Sequence, residues 1–136
     1  SDDFVEWAEY AGHYYGTSHE MIEQAKEEEI DLLFEVDTVG AAALKEAYPE
    51  ALSCFVLPPS WEELERRLRD RQTESEEVIQ KRLNVGQREL ESAHKFDYLV
   101  TNDHLEKAIE EVSLLYRGLL LRTRERQAAL ETLLSP

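Results

Sequence analysis

Hydrophobic positions along the chain switch between two periods, and the switches divide it into elements. Residues 4–10 alternate: Phe4, Glu6, Ala8 and Tyr10 fall on one face, with Val5, Trp7 and Glu9 on the other. That is a strand pattern. Gly12 and Gly16 punctuate a turn after it. Thr17, followed three residues later by Glu20, forms a capping box. A helix is therefore predicted from there to about residue 28, with Met21, Ile22 and Ala25 as its apolar positions and the acids Glu27, Glu28 and Glu29 as a solvated end.

Residues 30–37 are almost continuously apolar, which predicts a strand buried on both faces, as in a parallel sheet. Glu35 and Asp37 would then share one face at the carboxyl end of that strand, where open α/β sheets place ligands. Two acids there are costly unless they meet a ligand or a cation. A short helix over 41–48 is closed by Pro49, and residues 52–57 form a second strand. Strand, helix and strand make a βαβ unit. Pro58 and Pro59 end it, and Ser60 with Glu63 forms a second capping box. Trp61, Leu64 and Leu68 follow helical spacing; Ser75, Val78 and Ile79 open another helix that runs to about Ala93. A third strand covers 96–101, Asn102 and Asp103 read as a helix cap, and Leu105, Ala108, Ile109, Val112 and Leu115 mark the helix that follows. The whole reads as an α/β fold, a parallel sheet flanked by helices.

Length and charge narrow the picture. A chain of 136 residues suits a single domain. It carries 30 acidic against 15 basic residues, a net charge of −15, which repels a nucleic-acid backbone but leaves room for a small nucleotide in a local basic pocket. The single cysteine, Cys54, has no partner for an internal disulfide, which fits a reducing, cytoplasmic location. No apolar run approaches the roughly 18 residues of a membrane span, and no signal peptide is visible. The four histidines show no metal-ligand spacing, so no metal site built from this chain's own ligands is expected.

Two stretches carry candidate chemistry. In residues 4–18, the Glu6 carboxylate can accept two parallel N–H donors, the pattern on the Watson–Crick edge of guanine. Tyr14 and Tyr15 add hydroxyls that can donate to phosphate. An amphipathic hairpin followed by a helix cap explains the same residues. In residues 60–83, Arg66, Arg67, Arg69 and Arg71 cluster, and Arg82 follows on the next predicted helix. Such arginines either pair with neighbouring Glu residues or clamp phosphate.

Both stretches resemble guanylate kinases. The first is similar to that family's pocket segment, in which Glu and an aromatic precede Gly-Asn-Tyr-Tyr-Gly-Thr/Ser. Glu6-Trp7 and Gly12-His13-Tyr14-Tyr15-Gly16-Thr17 match, with His13 in the Asn position. The second resembles the family's Pro-Pro-Ser-x-x-x-Leu-x-x-Arg-Leu-x-x-Arg-Gly-Thr-Glu segment, with Gln72 at its Gly. Residues 34–40 resemble Leu-Asp-Ile-Asp-x-Gln-Gly, with Glu35 and Val39 as departures. Residues 97–105 resemble Asp-Tyr-x-Ile-x-Asn-Asp-Asp-Leu, with His104 as a departure. The similarity covers about residues 4–115.

The resemblance implies Mg2+-dependent phosphoryl transfer from ATP to GMP, on a P-loop nucleoside-monophosphate-kinase-like sheet incomplete at its amino-terminal side. Glu6, Thr17 and Asp37 would recognise guanine, Tyr15 the GMP phosphate, and Glu35 would lie near phosphates and metal. Arg67, Arg71 and Arg82 would close on the ATP phosphates, and Asn102 would lie near adenine. Residues 4–29 would belong to the GMP-binding region, 30–59 to a core βαβ, 60–83 to a lid, and 84–136 to core helices, a strand and a terminal extension. The leucines after Arg117 suit pairing with another chain. The chain opens on Ser1 and contains no G-x-x-x-x-G-K-[ST]. It is therefore expected to be the carboxyl-terminal portion of such an enzyme, with negligible turnover alone, because that loop supplies positioning and charge neutralisation. The alternative is a kinase-dead binding module of guanylate-kinase type that holds a phosphorylated peptide or GMP.

Overall fold

A computed structural model describes residues 3–10, 13–70 and 74–135, with the side chains of 6–15 outside that description. The chain divides into two compact units, residues 1–53 with 94–97, and residues 54–93 with 98–136.

The first unit is built on an antiparallel pair, β1 (Phe4–Tyr10) and β2 (His13–Ser18). The alternating pattern predicted β1. Gly16 and Thr17, expected in a turn and a cap, instead lie within β2 and pair with Trp7 and Glu6. Their backbone groups belong to the ladder, so the cap moves one residue on, where the Ser18 hydroxyl accepts from the Met21 N–H at 3.2 Å. Helix α1 (His19–Glu27) follows and buries Ile22 and Ala25. It ends with Glu29 in a left-handed conformation, φ 56°. The Ile30 N–H reaches back to the Ala25 carbonyl and that of Glu29 to Lys26. These bonds satisfy carbonyls that a helix end leaves unpaired.

The strand predicted over 30–37 does not form. These residues lack regular structure, and Leu33 is 91% exposed. An apolar run becomes a strand only when a neighbour takes up its N–H and C=O groups, and no strand pairs with it among the described residues. The βαβ unit expected over 30–59 is absent with it. Helix α2 (Thr38–Ala47) starts three residues earlier than predicted because the Asp37 carboxylate caps it. It packs against β1.

Past α2, the Asp97 carboxylate ties the unit together. It accepts from the Ser53 N–H at 2.9 Å, the Ser53 hydroxyl at 3.0 Å and Lys45 Nζ at 3.0 Å, while Lys45 also donates to the Ala51 carbonyl.

In the second unit, β3 (Cys54–Leu57) and β4 (Tyr98–Thr101) pair in parallel, Cys54 opposite Tyr98 and Leu57 opposite Thr101. The Asn102 N–H extends the ladder to the Leu57 carbonyl at 2.8 Å. The crossover carries α3 (Trp61–Asp70) and α4 (Glu76–Ser92), which pack on each other. Gly86 faces Leu64 so closely that an added Cβ would sit 3.4 Å from its Cδ2. Ile79, Leu83, Ala93, Val100 and Ala108 form the buried set, with Ala108 on α5 (Leu105–Leu119) against β4. A 3-10 turn over Thr123–Arg126 precedes α6 (Gln127–Leu134), where Leu133 and Leu134 are exposed. No helix among the described residues is long and apolar enough to cross a membrane.

Backbone and hydroxyl donors from Ser53 and the Lys45 ammonium hold the Asp97 carboxyl below its ordinary value of 3.8. A depressed carboxyl adds stability above its unfolded value and loses it as pH falls through the folded one. Asp97→Ala is expected to cost about 1–3 kcal/mol at neutral pH, by stranding the donors around it. The difference from the unaltered chain should shrink below about pH 4, where the unfolded carboxyl takes up its proton. Urea unfolding at two pH values checks both.

Candidate functional site

Each compact unit holds its own group of candidate residues. In the first, the ladder sets Glu6 directly opposite Thr17 and places Tyr15 opposite Ala8. The register slips between Phe4 and Glu6, and that slip brings Glu6 rather than Val5 into line with Thr17. Thr17 is 6% exposed, the one buried polar side chain among the described residues. The Glu6 and Tyr15 side chains, and Gly12, lie outside the described residues.

Glu35 and Asp37 do not share a strand face, because there is no strand. Glu35 is exposed in the irregular stretch. Asp37 Oδ1 accepts from the Gly40 N–H at 2.8 Å. Gly40 is buried, and a Cβ there would lie 3.1 Å from Val36 Cβ and 3.4 Å from Asp37 Oδ1. Glycine thus lets the cap close. One Asp37 oxygen is committed to the helix N-terminus, where it takes up an N–H that the helix leaves unpaired.

In the second unit the arginines are organised by carboxylates. Arg66 and Arg67 both converge on Glu63. Its Oε1 accepts from Arg67 Nε at 2.7 Å and Arg66 Nη2 at 2.7 Å, and its Oε2 accepts from Arg66 Nε at 2.8 Å. First Arg66 and then Arg67 hold the Glu63 carboxyl down at about 2. Arg67 Nη1 and Nη2 donate to the Asn102 carbonyl, each at 3.2 Å. Arg69 bridges Glu65 on α3 and Glu76 on α4, taking Glu76 as a fork with both carboxylate oxygens. Arg82 pairs with Glu74 Oε1. Glu74 Oε2 is buried with no hydrogen-bond partner among the described residues. Arg71 and Gln72 lie outside the described residues.

The structure therefore joins Arg67 to Asn102 and leaves Arg82 with Glu74. The ion-paired alternative for the arginine cluster is what the side chains adopt. Intrahelical partners such as Glu63 and Glu65 were legible from spacings of three and four residues. Glu74 for Arg82 and Glu76 for Arg69 had no such signal. Two expectations need correction. Glu63 meets the Ser60 cap only through its backbone N–H, which donates to the Ser60 hydroxyl at 3.1 Å, and it sends its carboxylate to the arginines instead of back to the cap. Asn102 is not a helix cap: its N–H and carbonyl serve the ladder and Arg67, and α5 is capped two residues later at His104, without a side-chain bond.

No group of three or more His, Cys, Asp or Glu side chains that could hold a metal occurs among the described residues. Among the described carboxylates, none is assigned as a magnesium ligand.

The architecture is an α/β one, small parallel and antiparallel sheets with flanking helices, consistent with a nucleotide-kinase fold. The family model for guanylate kinase matches residues 1–117, and the chain belongs to that family. It is 44% identical over 117 residues to a guanylate kinase of Synechococcus sp. (strain JA-3-3Ab), an alignment covering 85% of this chain and 54% of that one. It is 49% identical over 108 residues to a guanylate kinase of Thermus thermophilus, covering 79% of this chain and 49% of that one. The crystal structure of guanylate kinase from Anaplasma phagocytophilum superimposes with a TM-score of 0.71 at 27% identity, over 89% of this chain and 58% of that one. The chain thus spans about half the length of the curated relatives it matches.

The cap at α2 separates two roles of Asp37. Asp37→Ala should destabilise the first unit by about 1 kcal/mol, whereas Asp37→Asn, which can still cap, should change stability by only a few tenths. Thermal unfolding of both variants checks this.

Proposed function

We propose that this chain supplies the acceptor pocket and the lid of a guanylate kinase, which moves the γ-phosphoryl group of ATP to GMP. The observation that carries the reading is the family match over residues 1–117, which takes in both the Glu6–Thr17 strand pair and the arginine-bearing helices. In this reading residues 4–29 serve guanine and phosphate recognition, 60–83 the lid, and 84–136 the remaining helices, strand and terminal extension.

Glu6 would accept two N–H donors from guanine, and Thr17 and Asp37 would complete recognition of the base. Tyr15 would donate to the GMP phosphate. Glu35 would lie near the phosphates, and Asn102 by the adenine. Arg67, Arg71 and Arg82 would bring guanidinium charge to the transferring group. A GMP phosphate oxygen forms the new bond to phosphorus as the bond to the bridging oxygen of ADP breaks, with no covalent enzyme intermediate and no strong general base. Magnesium, arriving with ATP, would neutralise charge on the phosphates. The ion pairs that hold Arg67 and Arg82 are compatible with these roles, since they order the two guanidinium groups within an acidic chain. We place the protein in the cytoplasm, with small nucleotides rather than nucleic acid or membrane as partners. Self-association through the exposed leucines of α6 belongs to the same proposal.

The reading is tested by titrating GMP and AMP into the 136-residue chain, followed by 15N–1H spectra. GMP is expected to bind, with AMP at least about tenfold weaker, because a site built to pair the guanine edge leaves its carboxylate unmatched by adenine. Glu6→Gln should erase that preference. Equal responses to GMP and AMP, or an unchanged preference in the variant, contradict the pocket. Phosphopeptide binding in competition with GMP would favour the binding-module alternative.

A further inference from the structure

Glu63 is a carboxylate in the midst of the residues proposed to meet phosphate, where a negative charge is at first sight misplaced. Its contacts resolve the difficulty. It lies between Arg66 and Arg67 and orients both, and Arg66 is anchored on its far side by Asp70 at 2.8 Å. The Arg67 donors are divided unequally. Nε is taken by an anionic oxygen at 2.7 Å, while both terminal nitrogens share one neutral carbonyl, that of Asn102, at 3.2 Å. Bonds to charged acceptors are shorter and roughly twice as strong as neutral ones. Phosphate oxygens can outcompete the carbonyl for the terminal nitrogens, because they are charged and accept both in parallel. They gain nothing comparable by displacing Glu63 from Nε. The Asn102 carbonyl also lies just past the carboxyl end of β4, the edge where α/β sheets meet ligands.

We propose that Glu63 is a positioning residue for the nucleotide phosphates: it locks the Arg67 guanidinium through Nε, so that the terminal nitrogens exchange the Asn102 carbonyl for phosphate oxygens without the side chain reorienting. This rests on the reading of Arg67 as a phosphate ligand. A role confined to helix stability predicts something different, since a half-buried pair one turn apart supports the helix and has no bearing on a ligand.

The test uses the 15N-labelled 136-residue chain with Mg·ATP and, separately, inorganic triphosphate as probes. The Arg67 Nε–H resonance is identified by its loss in Arg67→Lys. On titration the terminal Arg67 signals should move while the Nε–H signal stays near its starting position. In Glu63→Gln the Nε–H signal should shift or broaden and ATP should bind about tenfold more weakly, the scale of one lost charge-assisted hydrogen bond. Glu62→Gln removes the same charge from the same turn and should change neither readout. Unchanged ATP affinity in Glu63→Gln, with a responsive unaltered chain, overturns the role of Glu63 alone. So does displacement of the Nε–H signal by ATP in the unaltered chain. No response of Arg67 to either probe in the unaltered chain overturns the assignment of Arg67 as a phosphate ligand, and this inference with it.

Discussion

Two short strands that pair in parallel cannot be joined by a tight turn; the chain must travel back the length of the pair before the second strand begins. In the second unit that return path holds α3 and α4, and with them Arg67 and Arg82. The pairing of β3 with β4 therefore does more than form a ladder. It fixes where α3 starts, just past Leu57, and where Asn102 ends the return, one ladder bond beyond Thr101. Arg67 reaches the Asn102 carbonyl because both lie near the same end of this strand pair. Remove the parallel register and the guanidinium has no fixed address.

Charge is the second constraint. A chain with twice as many acids as bases must hold its few guanidinium groups without surrendering them to arbitrary carboxylates. Here particular acids do the holding: Glu63 for Arg66 and Arg67, Glu65 and Glu76 for Arg69, Glu74 for Arg82. The more exposed of these pairs, such as Arg69 with Glu76, add little to stability. Their effect is on geometry, since a fork shared between two oxygens restricts the rotation of a long side chain. Arg69 and Glu76 make such a fork between the end of α3 and the start of α4, on either side of the segment that contains Arg71. The first unit uses the same device for a different end, where Asp97 gathers Ser53 and Lys45 into one cluster.

Much of this was legible in the residues. Alternation marked β1, helical spacing and capping serines marked α3 and α4, and the paired motifs around Glu6 and Arg67 pointed to a guanylate kinase, which the family match over residues 1–117 bears out. Those signals are local, and local steric and hydrogen-bonding preferences suffice to produce them. The failures share one cause. Residues 30–37 have the composition of a buried strand, yet strand formation requires a neighbour, and sequence pattern alone does not report one. Thr17 and Asn102 looked like helix caps because their side chains suit that role, but the ladders took their backbones first.

The residues alone were enough for the family, the approximate spans of α1, α3, α4 and α5, and the list of charged side chains. Only the tertiary structure decided which acid holds which arginine, that Glu6 faces Thr17 across a slipped register, and that Asp37 caps α2. The reason is physical. A side chain's chemical type follows from its identity, but its partner is settled by which backbones are brought within a few ångströms of it. For Arg67 and Asn102, 35 residues apart in the chain, that proximity exists only once β3 and β4 have paired.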